Sequence, residues 1–380
     1  MTTGETIPVL ADAEARLTIE VHEPEGGAST LARDALAGLF ARPKTLPPKY
    51  FYDERGSKLF AAICDQPEYY LTRAEETLLR RAAPEVIRIA QPTNLVELGS
   101  GDARKIRPLL TAARHAGLRP RYVPLDVSES TLRQSSLALL DKFPWLRIHG
   151  IVGDYEQHLQ RLPPGEGRLV AFLGSTIGNL DPRETRRFLR RLAARLCPGE
   201  HFLLGTDLVK SRRTLEAAYN DAAGITAGFN LNVLYVLNRE LGAAFDPEAF
   251  EHVAYFNARA SRIEMHLRAV RPLCVRMTRL RRTVRFKAGE MLRTEISRKF
   301  TRSRVERMLA AAGFDLVRWF VPRGGEFALS LARKAPFPRS RRIGLQSAGN
   351  SRQNERPSGT TIFLGIRAPR KRVVVTSSGA

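Results

Sequence analysis

The sequence predicts an α/β protein in which an open, mostly parallel sheet carries a smaller inserted α+β element. Three observations lead there. From Ala74 to Lys210, apolar runs of strand length alternate with helical patterns, the order that a doubly wound parallel sheet requires. The first of these runs, Asn94 to Leu98, passes into Gly99-Ser100-Gly101 and then into a basic amphipathic segment, which reads as strand, tight turn and helix start. After Lys210 the alternation gives way to period-two segments and resumes only at Thr301.

In chain order, residues 1–28 are polar and acidic with Pro24 and Gly26-Gly27, and are expected to form a flexible lead-in. Ser29-Thr30 offers an N-cap to a helix through Leu31, Leu36, Leu39 and Phe40, which Pro43 ends. The aromatic cluster Tyr50-Phe51-Tyr52 precedes a helical spacing of Gly56, Leu59, Phe60 and Ile63. Tyr69 and Tyr70 fall in a turn, and Thr72 with Glu75 three residues on reads as a capping box. Strands are expected at 95–98, 122–127, 149–152, 169–173 and 202–205, with helices at 104–115, 130–142 and 183–197. Beyond Lys210, helices are expected at 213–224, 231–241 and 247–257. Ile263, Met265 and Leu267 alternate on one strand; Val284, Phe286 and the run from Leu292 to Phe300 supply others. A helix through Val305, Met308 and Leu309, then a hairpin of 316–321 and 327–331 about Gly324-Gly325, closes the sheet. The expected units are therefore 29–73 with 210–299 for the inserted element, and 74–209 with 300–334 for the sheet. Residues 335–380 are rich in arginine, serine, proline and glycine with Glu355 as the sole acid, and a disordered tail is expected there.

Composition limits the function classes. The net charge of +22, from 61 Lys+Arg against 39 Asp+Glu, is the electrostatic signature of a nucleic-acid binder, so an RNA-binding protein or RNA methyltransferase stands as an alternative. Against it, basic pairs such as Arg80-Arg81 and Arg186-Arg187 are scattered, and no RRM, KH or zinc-finger pattern joins them. The 3 cysteines are far apart without a CxxC pair, so neither a disulfide framework nor a metal site is expected. Acids at Glu5, Asp12 and Glu14 and the lack of a long apolar run point to a soluble cytoplasmic protein with no membrane partner.

The chemistry gathers at the carboxyl ends of the expected strands, where open α/β sheets bind ligands. Gly99 and Gly101 can adopt positive φ and let backbone approach a ligand at a helix N-terminus. The loop lacks the third glycine of a dinucleotide fingerprint, and the acid Glu97 before it instead resembles the first motif of S-adenosylmethionine (SAM)-dependent methyltransferases. Asp126 follows at the distance where a second-strand acid accepts ribose hydroxyls. Asp154, with Tyr155 beside it, ends the third strand where an adenine amino group and ring would lie.

From LPPKYFYD (46–53) through PEYYLTR (67–73), LVELGSGDARK, FLGSTIGNL (172–180), LLGTDLVK (203–210), YNDAAGITAGFN (219–230) and RTEISRKF (293–300), the chain resembles the L-histidine Nα-methyltransferases of ergothioneine biosynthesis, over about residues 30–334. The resemblance implies a Rossmann-like SAM-dependent methyltransferase sheet with an inserted smaller α+β substrate-binding domain, acting as a monomer. It implies trimethylation of the histidine α-amine to the betaine hercynine. It places S-adenosyl-L-methionine against Gly99, Lys105 and Asp126, with Asp154 and Tyr155 at the adenine. It places the substrate carboxylate and amine against Tyr69, Asn179 and Tyr219, with Tyr52 close to the amine as the catalytic hydroxyl. Gly174 and Met265 line the pocket, and Glu295 and Ser297 meet the imidazole.

Those residue types suit the task. Two residues apart on a strand, Glu295 and Ser297 leave the same face and can engage both ring nitrogens together. A substrate without those nitrogens leaves the pair unsatisfied, at roughly 1–3 kcal/mol per group. A methyltransferase acting on another aromatic amino-acid amine is the nearer alternative, although an indole offers one donor and no acceptor.

Overall fold

The structure, a computed structural model, describes residues 15–22 and 30–336. The tail expected over 335–380 beyond Pro336, the Ser29 cap and most of the expected lead-in lie outside the described residues. In chain order the strands are β1 (Leu17–Val21), β2 (Lys44–Thr45), β3 (Asn94–Leu98), β4 (Arg121–Asp126), β5 (Ile148–Val152), β6 (Arg168–Phe172) and β7 (His201–Asp207). There follow β8 (Phe250–Asn257), β9 (Arg262–Ala269), β10 (Leu273–Met277), β11 (Arg282–Phe286), β12 (Met291–Arg298), β13 (Phe314–Phe320) and β14 (Phe327–Lys334).

Among the described residues, eight strands form one sheet in the order β1-β5-β4-β3-β6-β7-β14-β13. The members from β1 to β7 run parallel, while β14 is antiparallel to β7 and β13 to β14. Strand β3 sits where the order reverses, between β4 and β6, so the loops after β3 and β6 flank the switch-point crevice. Its residues are buried on both faces: Leu95 joins the core on one side of the sheet, and Val96 and Leu98 join the core on the other. A full Leu or Val burial of this kind stabilises by roughly 1.5–3 kcal/mol.

Local chemistry sets the helices. Asp181 caps the helix Pro182–Arg195, its carboxylate accepting from the Arg183 and Glu184 amides while Glu184 accepts from the Asp181 amide. The capping box expected at Thr72 and Glu75 does not form. The helix begins at Tyr70, and Glu75 is fully buried one turn in, where the Gly174 amide donates to its carboxylate. The expected lead-in over 1–28 is also corrected, because Leu17–Val21 pairs residue for residue with Ile148–Val152 and extends the sheet by one edge strand.

The inserted element is a four-stranded sheet, β2-β12-β9-β8, with the hairpin β10-β11 and the helix Ile225–Leu241. Its core gathers Leu234, Leu237, Ile263, Leu267 and Leu292. The helix expected over 247–257 is a correction as well. Only Pro247–Ala249 turns, and Phe250–Asn257 is a strand that pairs with β9 along its whole length. The i, i+3, i+4 spacing of Phe250, Val253 and Ala254 was outweighed by long-range pairing, as tertiary context outweighs local periodicity. Strand β2 joins this sheet parallel to β12, so a segment near the start of the chain completes a unit made mainly of residues beyond 210.

Candidate active site

One cavity of about 690 Å³ lies between the switch-point edge of the large sheet and the inserted element. All of the residues to which the resemblance assigns a role line it. Gly99, Lys105, Asp126, Asp154 and Tyr155 come from the large sheet, with Gly174 and Asn179 after β6. Tyr52, Tyr69, Tyr219, Met265, Glu295 and Ser297 come from the opposite wall.

On the sheet side, Gly99 (φ +71°) and Gly101 (φ +50°) are in the left-handed region, and a Cβ added to either would meet no atom within 4 Å. The space they leave belongs to the cavity, so a ligand can rest directly on backbone. Asp126 pins this loop: one carboxylate oxygen accepts from the Gly101 amide at 2.9 Å and the other from the Ser128 amide at 3.0 Å. Burial raises its pKa while those amides oppose the rise. Asp154 caps the short helix Tyr155–His158 through the Glu156 amide and faces Lys49 at 3.3 Å through its other oxygen. Tyr155 packs edge-on against Phe172, at 5.2 Å between ring centroids.

Lys105 reaches back to the buried Glu75, with Nζ 3.0 Å from its carboxylate. Burial disfavours the ammonium, but Glu75 more than offsets this and leaves the Lys105 pKa above its usual value. Glu75 thus ties Lys105 to the Gly174 amide, a role that its position inside an amphipathic helix gave no reason to suspect. Glu97 is buried beneath the loop and accepts from the Tyr122 hydroxyl at 2.6 Å; burial pushes its pKa up to about 8.

The opposite wall is different in kind. Tyr52 packs edge-on against Phe60 (5.4 Å) and Phe229 (5.5 Å), and Tyr69 against Tyr219 (6.3 Å). Burial, with Glu295 nearby, raises the Tyr52 pKa well above the usual tyrosine value, so its hydroxyl keeps its proton. Strand β12 carries an irregularity between Arg293 and Glu295, after which Glu295 pairs with Met265 and Ser297 with Ile263. Both side chains therefore leave one face. Glu295 has no hydrogen-bond partner among the described residues; burial pushes its pKa up to about 7, opposed by Lys299. Ser297 accepts from the Tyr219 hydroxyl at 2.8 Å and from Lys299 at 3.0 Å. Phe229 and Lys299 were not singled out in the sequence. A lysine directly before Phe300, where the strand's alternation breaks off, was the available signal for the second.

The parallel sheet closed by an antiparallel hairpin, with a glycine cradle after its switch-point strand, defines a Rossmann-like SAM-dependent methyltransferase. Residues 31–334 match the family described as histidine-specific methyltransferase, SAM-dependent. The histidine N-alpha-methyltransferase of Mycobacterium tuberculosis is 48% identical over 320 residues, covering 84% of this chain and 100% of the relative. That of Mycolicibacterium smegmatis is 50% identical over 308 residues, covering 81% and 96%. Ergothioneine biosynthesis protein 1 of Neurospora crassa is 30% identical, over 77% of this chain and 33% of the relative. The chain belongs to the SAM-dependent histidine-specific methyltransferase family.

Proposed function

We propose that the protein transfers three methyl groups in succession from SAM to the α-amine of L-histidine, giving hercynine for ergothioneine biosynthesis. The observation that carries the reading is the unpartnered Glu295 carboxylate beside the Ser297 hydroxyl on one cavity wall. A half-buried carboxylate without a partner is costly to keep charged unless a ligand supplies a donor, and an imidazole N–H does so.

The residues present fit the cofactor: a backbone cradle at Gly99 and Gly101 with Asp126 beside it suits a flat polar group carrying hydroxyls. In this reading Gly99, Lys105, Asp126, Asp154 and Tyr155 hold SAM, which when bound supplies an electrophilic methyl group on a sulfonium. Asn179, whose side chain makes no hydrogen bond among the described residues, Tyr69 and Tyr219 meet the substrate carboxylate and amine, with Tyr219 able only to accept because its hydrogen goes to Ser297. The Tyr52 oxygen accepts an N–H of the amine, turning the nitrogen lone pair toward the donor side. Most of the acceleration then comes from orientation, because both reactants are held in one cavity with the nucleophile aimed. The aromatic wall of Tyr52, Phe60 and Phe229 tolerates the growing cation through cation–π attraction.

The test is mass spectrometry of products from purified protein, SAM and each amino acid in turn. Trimethylated histidine as the main product is expected, and methylation of tryptophan or tyrosine in preference would reject the reading. The same proposal has the enzyme acting as a cytoplasmic monomer on a small molecule, without nucleic-acid or membrane partners. Light scattering after gel filtration, and RNA filter binding at two salt concentrations, check those points.

A further inference from the structure

Behind the substrate wall lies a closed set of polar groups whose hydrogens can be counted. Building on the histidine reading above, we infer that Lys299 is a positioning residue that fixes the hydrogen-bond polarity of Ser297. The pair Ser297 and Glu295 then recognises a ring with one bare nitrogen and one N–H, which is a neutral imidazole.

Lys299 is fully buried, and its ammonium has three hydrogens and no acceptor. Each hydrogen has a partner: Asp207 at 2.8 Å, the Tyr219 hydroxyl at 3.0 Å and the Ser297 hydroxyl at 3.0 Å. Asp207 is itself fully buried at the end of β7, where it also accepts from the Tyr70 hydroxyl at 2.8 Å and pairs with Lys210. The anchor cannot swing away, so Lys299 is committed as a donor to both hydroxyls.

Ser297 receives a second hydrogen bond, from Tyr219 at 2.8 Å. With both lone pairs of its oxygen engaged, Ser297 has only its O–H left to offer. That hydroxyl lines the cavity on the same strand face as Glu295, which in its charged form can only accept. The wall therefore presents one donor and one acceptor at fixed places. Reversing the bond between Tyr219 and Ser297 would free a Ser297 lone pair and move the outward hydrogen to Tyr219, but the phenol is the more acidic hydroxyl and is the one that donates. Neutral imidazole matches this with its bare nitrogen and its N–H. A pyrrole or indole ring has no bare nitrogen and leaves the outward O–H facing carbon.

The experiment uses full-length protein with S-adenosylhomocysteine at pH 8.5, where the histidine ring is neutral. Calorimetry gives Kd for L-histidine and for the two isomeric pyrrolylalanines, which keep the ring size and N–H but lack the bare nitrogen. Wild type is expected to favour histidine over the better isomer by at least about fivefold. In Lys299→Met, Asp207 keeps Tyr70 and Lys210 as partners, Ser297 regains a free lone pair, and the preference should shrink toward unity. A role confined to stability would weaken every ligand alike and leave the ratio as it was. Should Lys299→Met lack native circular dichroism, Tyr219→Phe frees one Ser297 lone pair by another route and must narrow the same ratio. A folded variant with the wild-type ratio, or a wild type without the preference, overturns the inference while leaving the enzyme's activity standing. Failure of wild type to bind histidine at all takes down both.

Discussion

The two walls of the cavity differ in how many of their polar groups are already paired among the described residues, with Ser297 and Tyr219 the paired exceptions on one and Asn179 the open one on the other. On the sheet wall, Asp126, Asp154, Lys105 and Glu75 all have protein partners, mostly backbone amides of the loops they brace. On the wall of the inserted element, Tyr52, Tyr69 and Glu295 face the cavity without a hydrogen-bond partner among the described residues. A group that is already paired holds its place and offers a ligand its remaining lone pairs. A half-buried group left open raises the free energy of the empty site and returns that energy only to a ligand of matching shape. The first arrangement suits a cofactor common to many enzymes; the second suits discrimination among amino acids.

Breaking that contrast should have its largest effect at Glu295. Glu295→Ala is expected to weaken histidine binding by about 5- to 150-fold, equivalent to roughly 1–3 kcal/mol, with SAM affinity unchanged by calorimetry. Equal losses for both ligands would make Glu295 a structural residue and merge the two walls into one. The reciprocal change, Asp126→Asn, keeps a carbonyl for the Gly101 amide but loses the bond from the Ser128 amide and the charge that strengthens hydrogen bonds to ligand hydroxyls. SAM affinity is expected to fall roughly tenfold, while the preference for histidine over other amino acids survives.

How much of each wall was legible in the sequence follows from the same contrast. The sheet wall is local: Gly99, Asp126 and Asp154 each lie at or just past the end of one strand, so order and spacing alone pointed to them. The substrate wall joins Tyr52, Tyr69, Tyr219 and Glu295 across more than two hundred residues, and only the likeness to a family grouped them. Glu75 escaped because a helical acid three residues after a threonine reads as a cap, while its fully buried position depends on the packed fold. Strand β8 was read as a helix because Phe250, Val253 and Ala254 fit the helical spacing, and the partner that overrides it, β9, is a separate segment. Leu273–Met277 gave no strand signal of its own, having only its hairpin mate 282–286 to pair with.

The cost of leaving Glu295 open can be read from pH. Folded, it keeps its proton up to about pH 7, whereas unfolded it releases it near the usual 4.5. Between those values the folded state binds more protons, so this residue's effect on stability is nil below about 4.5 and fully unfavourable above 7. Glu295→Gln removes that dependence. The ligand-free variant should gain about 1–2 kcal/mol over wild type at pH 8 relative to pH 5, seen as a larger Tm difference at the higher pH. A Tm difference that does not vary with pH would mean that water or a neighbouring group already satisfies the carboxylate.

Tyr52 offers the finest test, because its hydroxyl faces a substrate group that changes from one turnover to the next. The primary amine and the monomethyl product still carry an N–H in their neutral forms, and the dimethyl product carries none. An acceptor at Tyr52 can therefore orient the nitrogen in the first two transfers and has nothing to hold in the third. Tyr52→Phe keeps the ring against Phe60 and Phe229, so packing should survive. Loss of one neutral hydrogen bond should slow turnover from histidine and from monomethylhistidine by about fivefold, leave turnover from dimethylhistidine near wild type, and spare SAM affinity. Rapid-quench mass spectrometry from each of the three starting amines reads those rates separately. Equal slowing of all three would assign the effect to the shape of the aromatic wall and remove the hydroxyl from the chemistry.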